Sequence, residues 1–143
     1  ERPSLLLMSA ETAMARGIEP IALIRSLGFA GVDPTVMGRG PVPAVTKALD
    51  RAELAVEDID CWEINEAFSI VALHCIKELS IDEDLVNVMG GGLALGHPLG
   101  ATGVRLVGTL SRILKKRQDR YGCATACVGG GQGVATVLEN DLA

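Results

Sequence analysis

Phe68, Val71, Ala72, Cys75, Ile76 and Leu79 fall at i, i+3, i+4, i+7, i+8 and i+11. That spacing lines one face of an α-helix. The helix stands between two short runs that lack a helical period, "DIDCWEIN" (58–65) and "LVNVM" (85–89), both read as strands. A second helix is expected from about 100 to 117, marked by Val104, Val107, Leu110 and Leu114. Two further strands, "GCATACVG" (122–129) and "VATVLE" (134–139), close the chain around "GGQ".

Upstream, "SLLLMS" (4–9) reads as a short buried strand and "AETAMARG" (10–17) as a brief helix stopped by Gly17. "IALIRSLGFAGVD" (21–33) is β-like and broken by Gly28 and Gly31. "PTVMGRGPVPA" (34–44) reads as a loop, rich in proline and glycine. "AVTKALDRA" (44–52) has Val45, Ala48 and Leu49 on one helical face. From residue 21 on the order is β-α-β-α-β-α-β-β. Alternation of this kind predicts a layered α/β fold with a mostly parallel sheet and helices on both faces. The composition agrees, being 48% hydrophobic with only 3% aromatic residues. If the strand order reverses once, right-handed crossovers put the last helix on the opposite face from the first two. That helix carries Gly100, Ala101, Gly103, Gly108 and Ser111 along its back. Small residues there predict the close approach of another backbone, from something the chain does not contain.

The 143 residues fit one domain, and the net charge of −5 argues against a nucleic-acid or anionic-membrane partner. The one basic run, Arg112 to Arg120, falls at a predicted helix end, where cations complement the dipole. Cys61, Cys75, Cys123 and Cys127 show no secreted-type spacing, so reduced, intracellular thiols are expected. No apolar run approaches the roughly 18 residues that cross a bilayer. No signal peptide is visible, and "NDLA" is not a peroxisomal address, so a cytoplasmic location is expected. The chain starts at Glu1 and not at Met, and is expected to be a piece of something longer.

Ligands of open α/β sheets bind beyond the carboxyl ends of the strands. Three loops reach that edge: "NEAF" (65–68), "GGGLALGHPLG" (90–100) and "CVGGGQG" (127–133). They carry Asn65, Glu66, His97, Cys127 and a run of bare glycine amides. A loop histidine can be structural, but a glycine collar lets a ligand come close to it. An imidazole can take a proton from a thiol. His74 lies on a helix beside Lys77 and Glu78 and reads as a surface residue. Cys127, at a strand end, packs as a small hydrophobe or acts as an acid/base if a neighbour assists. "GGGQG" is a tight hairpin turn, a set of amides for a developing oxyanion, or both. Zinc is not expected: Cys123 and Cys127 share a strand face, but no second cysteine pair completes four ligands. No nucleotide-phosphate motif is present.

With Asn65, His97 and Cys127 collected, the chain resembles a thiolase. "NEAF", "GGGLALGHPLGATG" and "CVGGGQG" are similar to the three C-terminal signature blocks of that family, in the same order, and "GVDPTVMGRGPVPA" is similar to a further stretch. The resemblance covers essentially the whole chain. It implies a five-stranded mixed sheet, the C-terminal half of a two-half enzyme. Residues 1–20 would then end the first half and connect it, and 21–143 would form the C-terminal domain.

The resemblance also implies roles. His97 would activate a nucleophilic cysteine and contribute to an oxyanion hole. Asn65 would hold a water completing that hole. Cys127 would move the proton at the α-carbon of the acyl group, and the amide of Gly129 would help form a second hole. The implied reaction is reversible Claisen condensation and thiolytic cleavage between acetyl-CoA and a 3-ketoacyl-CoA. The coenzyme A thioester is the substrate, and no cofactor or metal is implied. The expected partners are acyl-CoA, the N-terminal half and further copies in a dimer or tetramer. Met89 departs from the family's usual Asn before the glycines. The nucleophile's motif and the loop covering CoA are both missing, so the isolated chain is expected to be inactive. The rival expectation is a stand-alone, non-enzymatic domain that binds acyl-CoA or pairs with a separate subunit.

Overall fold

The structure is a computed structural model that describes residues 3–140. The outer ends of the two expected segments, residues 1–2 and 141–143 with most of "NDLA", lie outside the described residues. Four strands form one mixed sheet: β1 (Leu23–Gly31), β2 (Cys61–Ile64), β3 (Tyr121–Val128) and β4 (Gln132–Glu139), in the spatial order β1-β4-β3-β2. β2 runs parallel to β3, while β4 is antiparallel to both of its neighbours. Five helices accompany the sheet: α1 (Ala10–Ala15), α2 (Pro41–Ala52), α3 (Ser69–Leu79), α4 (Gly92–Leu95) and α5 (Thr102–Arg117).

Strand alternation divides the core in two. Trp62, Ile64, Cys123 and Val137 face α2 and α3, where Val45, Ala48, Leu49, Val71 and Cys75 meet them. Cys61, Ala124 and Leu138 face the other way and are covered by Leu106, Leu110 and Leu114 of α5. The last long helix therefore lies opposite the first two, as the crossover rule requires.

The fifth strand expected at 85–89 is absent. A short 3-10 turn occupies Glu83–Leu85, and only Val86 bridges to Trp62. Asn87 then turns into the left-handed region (φ 48°), which asparagine tolerates better than most residues. Its side chain finishes what a strand would have done. Asn87 Oδ1 accepts from Ile64 N at 2.9 Å, and Asn87 Nδ2 donates to Ile64 O at 3.0 Å. One amide satisfies both backbone groups of Ile64 on the free edge of β2, and the Asn87 backbone N–H donates to Trp62 O at 2.8 Å beside them.

Three other expectations need correction. Residues 3–9 are not a strand; Leu6 and Leu7 are 81% and 69% exposed, and no sheet edge is offered to them. β1 passes unbroken through Gly28, because that glycine is where α2 comes closest: a Cβ there would strike Ala44 O. The proline-rich stretch is a 3-10 turn (Pro34–Arg39) running into α2. Pro41 and Pro43 sit in the first helical turn, where a missing N–H costs nothing.

α2 also guards the outer strand. Ser26 Oγ donates to Ala48 O at 2.7 Å, Lys47 Nζ donates to Phe29 O at 3.2 Å, and an Arg51 guanidinium N–H donates to Leu27 O. Leu27 and Phe29 point away from α2 and stay exposed, since α5 covers β2 and β3 but not β1. Along the outer side of α5 runs the leading segment of the chain itself. Leu5 rests over Gly108, and Glu19 pairs with Lys115 at 2.9 Å. Part of the small-residue back thus meets a side chain of this chain's own leading segment and not another backbone, while Gly103 faces open space. Among the described residues, no helix is long and apolar enough to cross a membrane.

Candidate active site

β2 is buried at every position, and its ladder with β3 extends one residue further, where Asn65 N donates to Thr125 O at 2.9 Å. Because β2 and β3 are parallel, Asn65 and the Cys127–Gly129 stretch leave the sheet at the same edge. Val86, the parallel bridge partner, delivers the glycine loop there too.

Glu66 fastens the first loop to the second. Its Oε1 accepts from Asn87 Nδ2 and its Oε2 from Leu93 N, each at 2.9 Å. A Cβ on Gly91 would collide with that carboxylate, so the close approach requires glycine. The glycines after Asn87 therefore serve the docking of a carboxylate as well as any substrate.

Beyond α4 the chain reaches His97, half-buried, and Pro98. Pro98 O accepts from the backbone N–H of Thr102 at 3.0 Å and from its hydroxyl at 3.1 Å. The same Thr102 Oγ1 lies 2.7 Å from His97 Nδ1; in the tautomer where the hydroxyl donates to Pro98 O, Nδ1–H donates to Oγ1. In that tautomer the Nε2 lone pair is free of a proton. Asn65 Nδ2 stands 3.4 Å from that nitrogen. Two expected site residues, 32 positions apart, are brought together. Asn65 is fully buried, and its Oδ1 has no partner among the described residues.

Cys127 shares the edge but not the pair. It packs in the α2–α3 core layer, and no hydrogen bond joins it to Asn65 or His97 among the described residues. Burial pushes its thiol up, partly opposed by a backbone hydrogen bond, so the sulfur keeps its proton near neutral pH. Cys75 and Cys123 are raised further by burial, and all four cysteines are buried and free. Gly129 to Gly131 make the turn between β3 and β4, so the hairpin reading holds. Gly131 is tied to the loop before α2, with Val32 N donating to Gly131 O at 2.7 Å. Gly129 is exposed, and a Cβ on it would meet nothing. Among the described residues, no group of three His, Cys, Asp or Glu side chains could hold a metal ion.

Phe68, expected on the buried helix face, caps α3 and is exposed. It forms the near end of a groove of about 580 Å³ between α3 and the 3-10 turn, in which His74 also takes part. Asn65, His97 and Cys127 do not line it.

A buried ion pair lies behind the site. Glu63 on β2 is fully buried, and its Oε2 stands 3.8 Å from Arg105 Nη1 on α5. Burial pushes the Glu63 carboxyl up to about 7, against the pull of Arg105 and with a further push from Glu66. Neither side chain has a hydrogen-bond partner among the described residues. The sequence signal for it was a charge inside the apolar run "CWEI"; Thr102 and Asn87 had no such signal.

A family model described as "Thiolase, C-terminal domain" matches residues 18–140. The chain belongs to the thiolase family. This thiolase domain is 53% identical over 139 residues to the 3-ketoacyl-CoA thiolase of Marinobacter nauticus, covering 95% of this chain and 36% of that one. It superposes on the crystal structure of human mitochondrial 3-ketoacyl-CoA thiolase in complex with CoA with a TM-score of 0.89 at 40% identity. That match covers 92% of this chain and 33% of the other. On the acetyl-CoA acetyltransferase of Bacillus anthracis the TM-score is 0.90 at 48% identity, covering 92% and 34%. The thiolase domain thus spans about a third of the length of the relatives it matches. The layered α/β fold expected from the sequence is that of the family, but among the described residues the sheet has four strands and not five, and with only the β2–β3 pair parallel it is mixed and not mostly parallel.

Proposed function

We propose that this domain supplies the proton-handling half of a thiolase active site, acting on acyl-CoA. The reaction is reversible exchange between a 3-ketoacyl-CoA plus CoA and two acyl-CoA products, one of them acetyl-CoA. The observation that carries this reading is the chain from Thr102 through His97 to Asn65, built on the same edge as Cys127 and Gly129.

In the cleavage direction, His97 Nε2 takes the proton of a nucleophilic cysteine supplied by the N-terminal portion. The thiolate attacks the 3-keto carbon. The bond between the α- and β-carbons breaks, and its electron pair goes to the α-carbon. The Cys127 thiol gives that carbon its proton, which completes acetyl-CoA. CoA–SH then gives its proton to the Cys127 thiolate and attacks the acyl-cysteine thioester; as the nucleophilic cysteine leaves, His97 returns to it the proton it took. Two carbonyl oxygens gain charge in turn, and preorganised donors stabilise such charge. Asn65 serves one through a water held on its unpartnered Oδ1, together with His97. The Gly129 amide serves the other, and the open space above that glycine supports a close approach.

The N-terminal portion packs on the face where Leu27, Phe29 and Gly103 lie uncovered, and the segment ending near residue 20 connects the two. The protein works as a dimer or tetramer. Without the nucleophile the 143-residue chain alone turns nothing over. Fatty-acid metabolism and a cytoplasmic setting fit this reading.

The test is Cys127→Ser in the full-length protein, with both half-reactions followed separately. Condensation should slow far more than acyl transfer to the nucleophile. Equal losses would remove the acid/base role from Cys127. Thiolytic turnover of acetoacetyl-CoA by the 143-residue chain alone would refute the two-half reading.

A further inference from the structure

The Asn65–His97–Thr102 chain joins the end of β2 to the first turn of α5. A second connection joins the same two elements. Glu63 lies two residues before Asn65, on the same side of β2, and Arg105 lies three residues after Thr102, on the same side of α5. Two rungs therefore span one gap. The upper is a string of hydrogen bonds with contacts of 3.4 Å and 2.7 Å. The lower is a buried ion pair at 3.8 Å with no hydrogen bond of its own among the described residues.

Their difference in character matters. The upper rung includes a contact near the outer limit for a hydrogen bond, so a small shift of α5 breaks it. The lower rung acts by charge across a low-dielectric gap and falls off slowly with distance. Replacing a buried pair with apolar groups is often neutral or stabilising, so stability alone does not account for this one.

We propose that Glu63 and Arg105 are a positioning pair that sets the separation of β2 and α5, and so keeps Asn65 Nδ2 within reach of His97 Nε2. The inference rests on the thiolase reading for its consequence in catalysis, and on geometry alone for the state of His97.

The experiment uses the full-length protein with Glu63→Gln, Arg105→Met, their double variant, and Arg105→Lys. Each is measured for thermal midpoint, for kcat and KM in thiolysis, and for the ¹⁵N signals of labelled histidine. Arg105→Met should lose stability, because it leaves the buried Glu63 carboxyl without its cation, while Glu63→Gln keeps the shape of the neutral acid. The double variant should regain the midpoint yet keep kcat about tenfold or more below wild type. Its KM should stay within about twofold, and His97 should lose its single Nδ1–H signature. Arg105→Lys keeps the charge and should hold kcat within about threefold of wild type.

Recovery of kcat together with the midpoint in the double variant would make the pair merely structural and overturn the proposal. So would an Arg105→Lys variant as slow as Arg105→Met, which also decides the matter if the double variant fails to fold. If the wild-type protein shows no thiolysis, the functional reading falls by itself. The histidine spectrum then decides, and an unchanged His97 signature in the double or Arg105→Met variant overturns the pair.

Discussion

The Thr102 hydroxyl stands 3.1 Å from Pro98 O and 2.7 Å from His97 Nδ1. The ring of His97 is aimed by that contact, and with Nδ1–H donating to Thr102 Oγ1 an imidazole presents a bare Nε2. Thr102→Val keeps the shape and removes the hydroxyl. In the full-length protein kcat should fall about tenfold or more, as expected when a base loses its tautomer and aim, while stability changes by about 1 kcal/mol. Steady-state thiolysis with a thermal melt checks both, and an unchanged kcat would sink the role. His97 is visible in the sequence because glycine surrounds it. Thr102 is not visible, because its contact depends on the turn that Pro98 makes. Glu63 carries a separate prediction. Its carboxyl is raised from the ordinary 4.5 to about 7, chiefly by burial, with Arg105 and Glu66 as the charges facing it. Between those values the unfolded chain has lost the proton and the folded chain still holds it, so stability falls as pH rises. The loss is on the order of 3 kcal/mol and is complete above about pH 7. Glu63→Gln lacks that slope, while the charge of Arg105 adds only a constant offset. The melting midpoint of the wild type should therefore drop relative to the variant as pH rises from about 5 to 8. A difference that does not vary with pH would refute it.

The elements with a clear period are the ones the sequence makes legible. α3 and α5 lie within two residues of their expected starts, and β3 and β4 within two of theirs, because each buries a repeating apolar face. Periodicity fails where side chains do the work of backbone. "LVNVM" has the composition of a strand, yet Asn87 folds back and occupies both Ile64 groups by itself. "SLLLMS" has the composition of a core strand, yet no sheet edge receives it. In the prolines of "GPVPA" the expected breakers are instead starters of α2. The Asn87 device can be weighed. Asn87→Ala leaves two buried backbone groups and the Glu66 carboxylate short of partners. The cost should be about 2–4 kcal/mol, more than for a lone exposed hydrogen bond. Chemical denaturation measures it, and a loss below about 1 kcal/mol would mean that water replaces the amide without penalty.

At the scale of the whole molecule, the exposed side chains are unevenly spread. Leu27 and Phe29 on β1, Leu6 and Leu7 before α1, and Leu93, Leu95 and Leu99 around His97 all stand uncovered. Large apolar side chains left exposed in such numbers point to binding faces. The 143-residue chain on its own should self-associate and bind a hydrophobic dye, whereas the full-length protein should do neither beyond its native assembly. Sedimentation of the isolated chain as a dye-silent monomer would contradict this. The manner of that association follows from how the sheet's two borders are finished. On one side the carboxamide of Asn87 already fills the seat a neighbouring chain would take. On the other, Arg51 and Lys47 plug carbonyls that a visiting strand would need. Taken by itself, the domain exposes apolar side chains on its faces and is blunt at its rims, so its aggregates should be amorphous clumps rather than ordered fibrils.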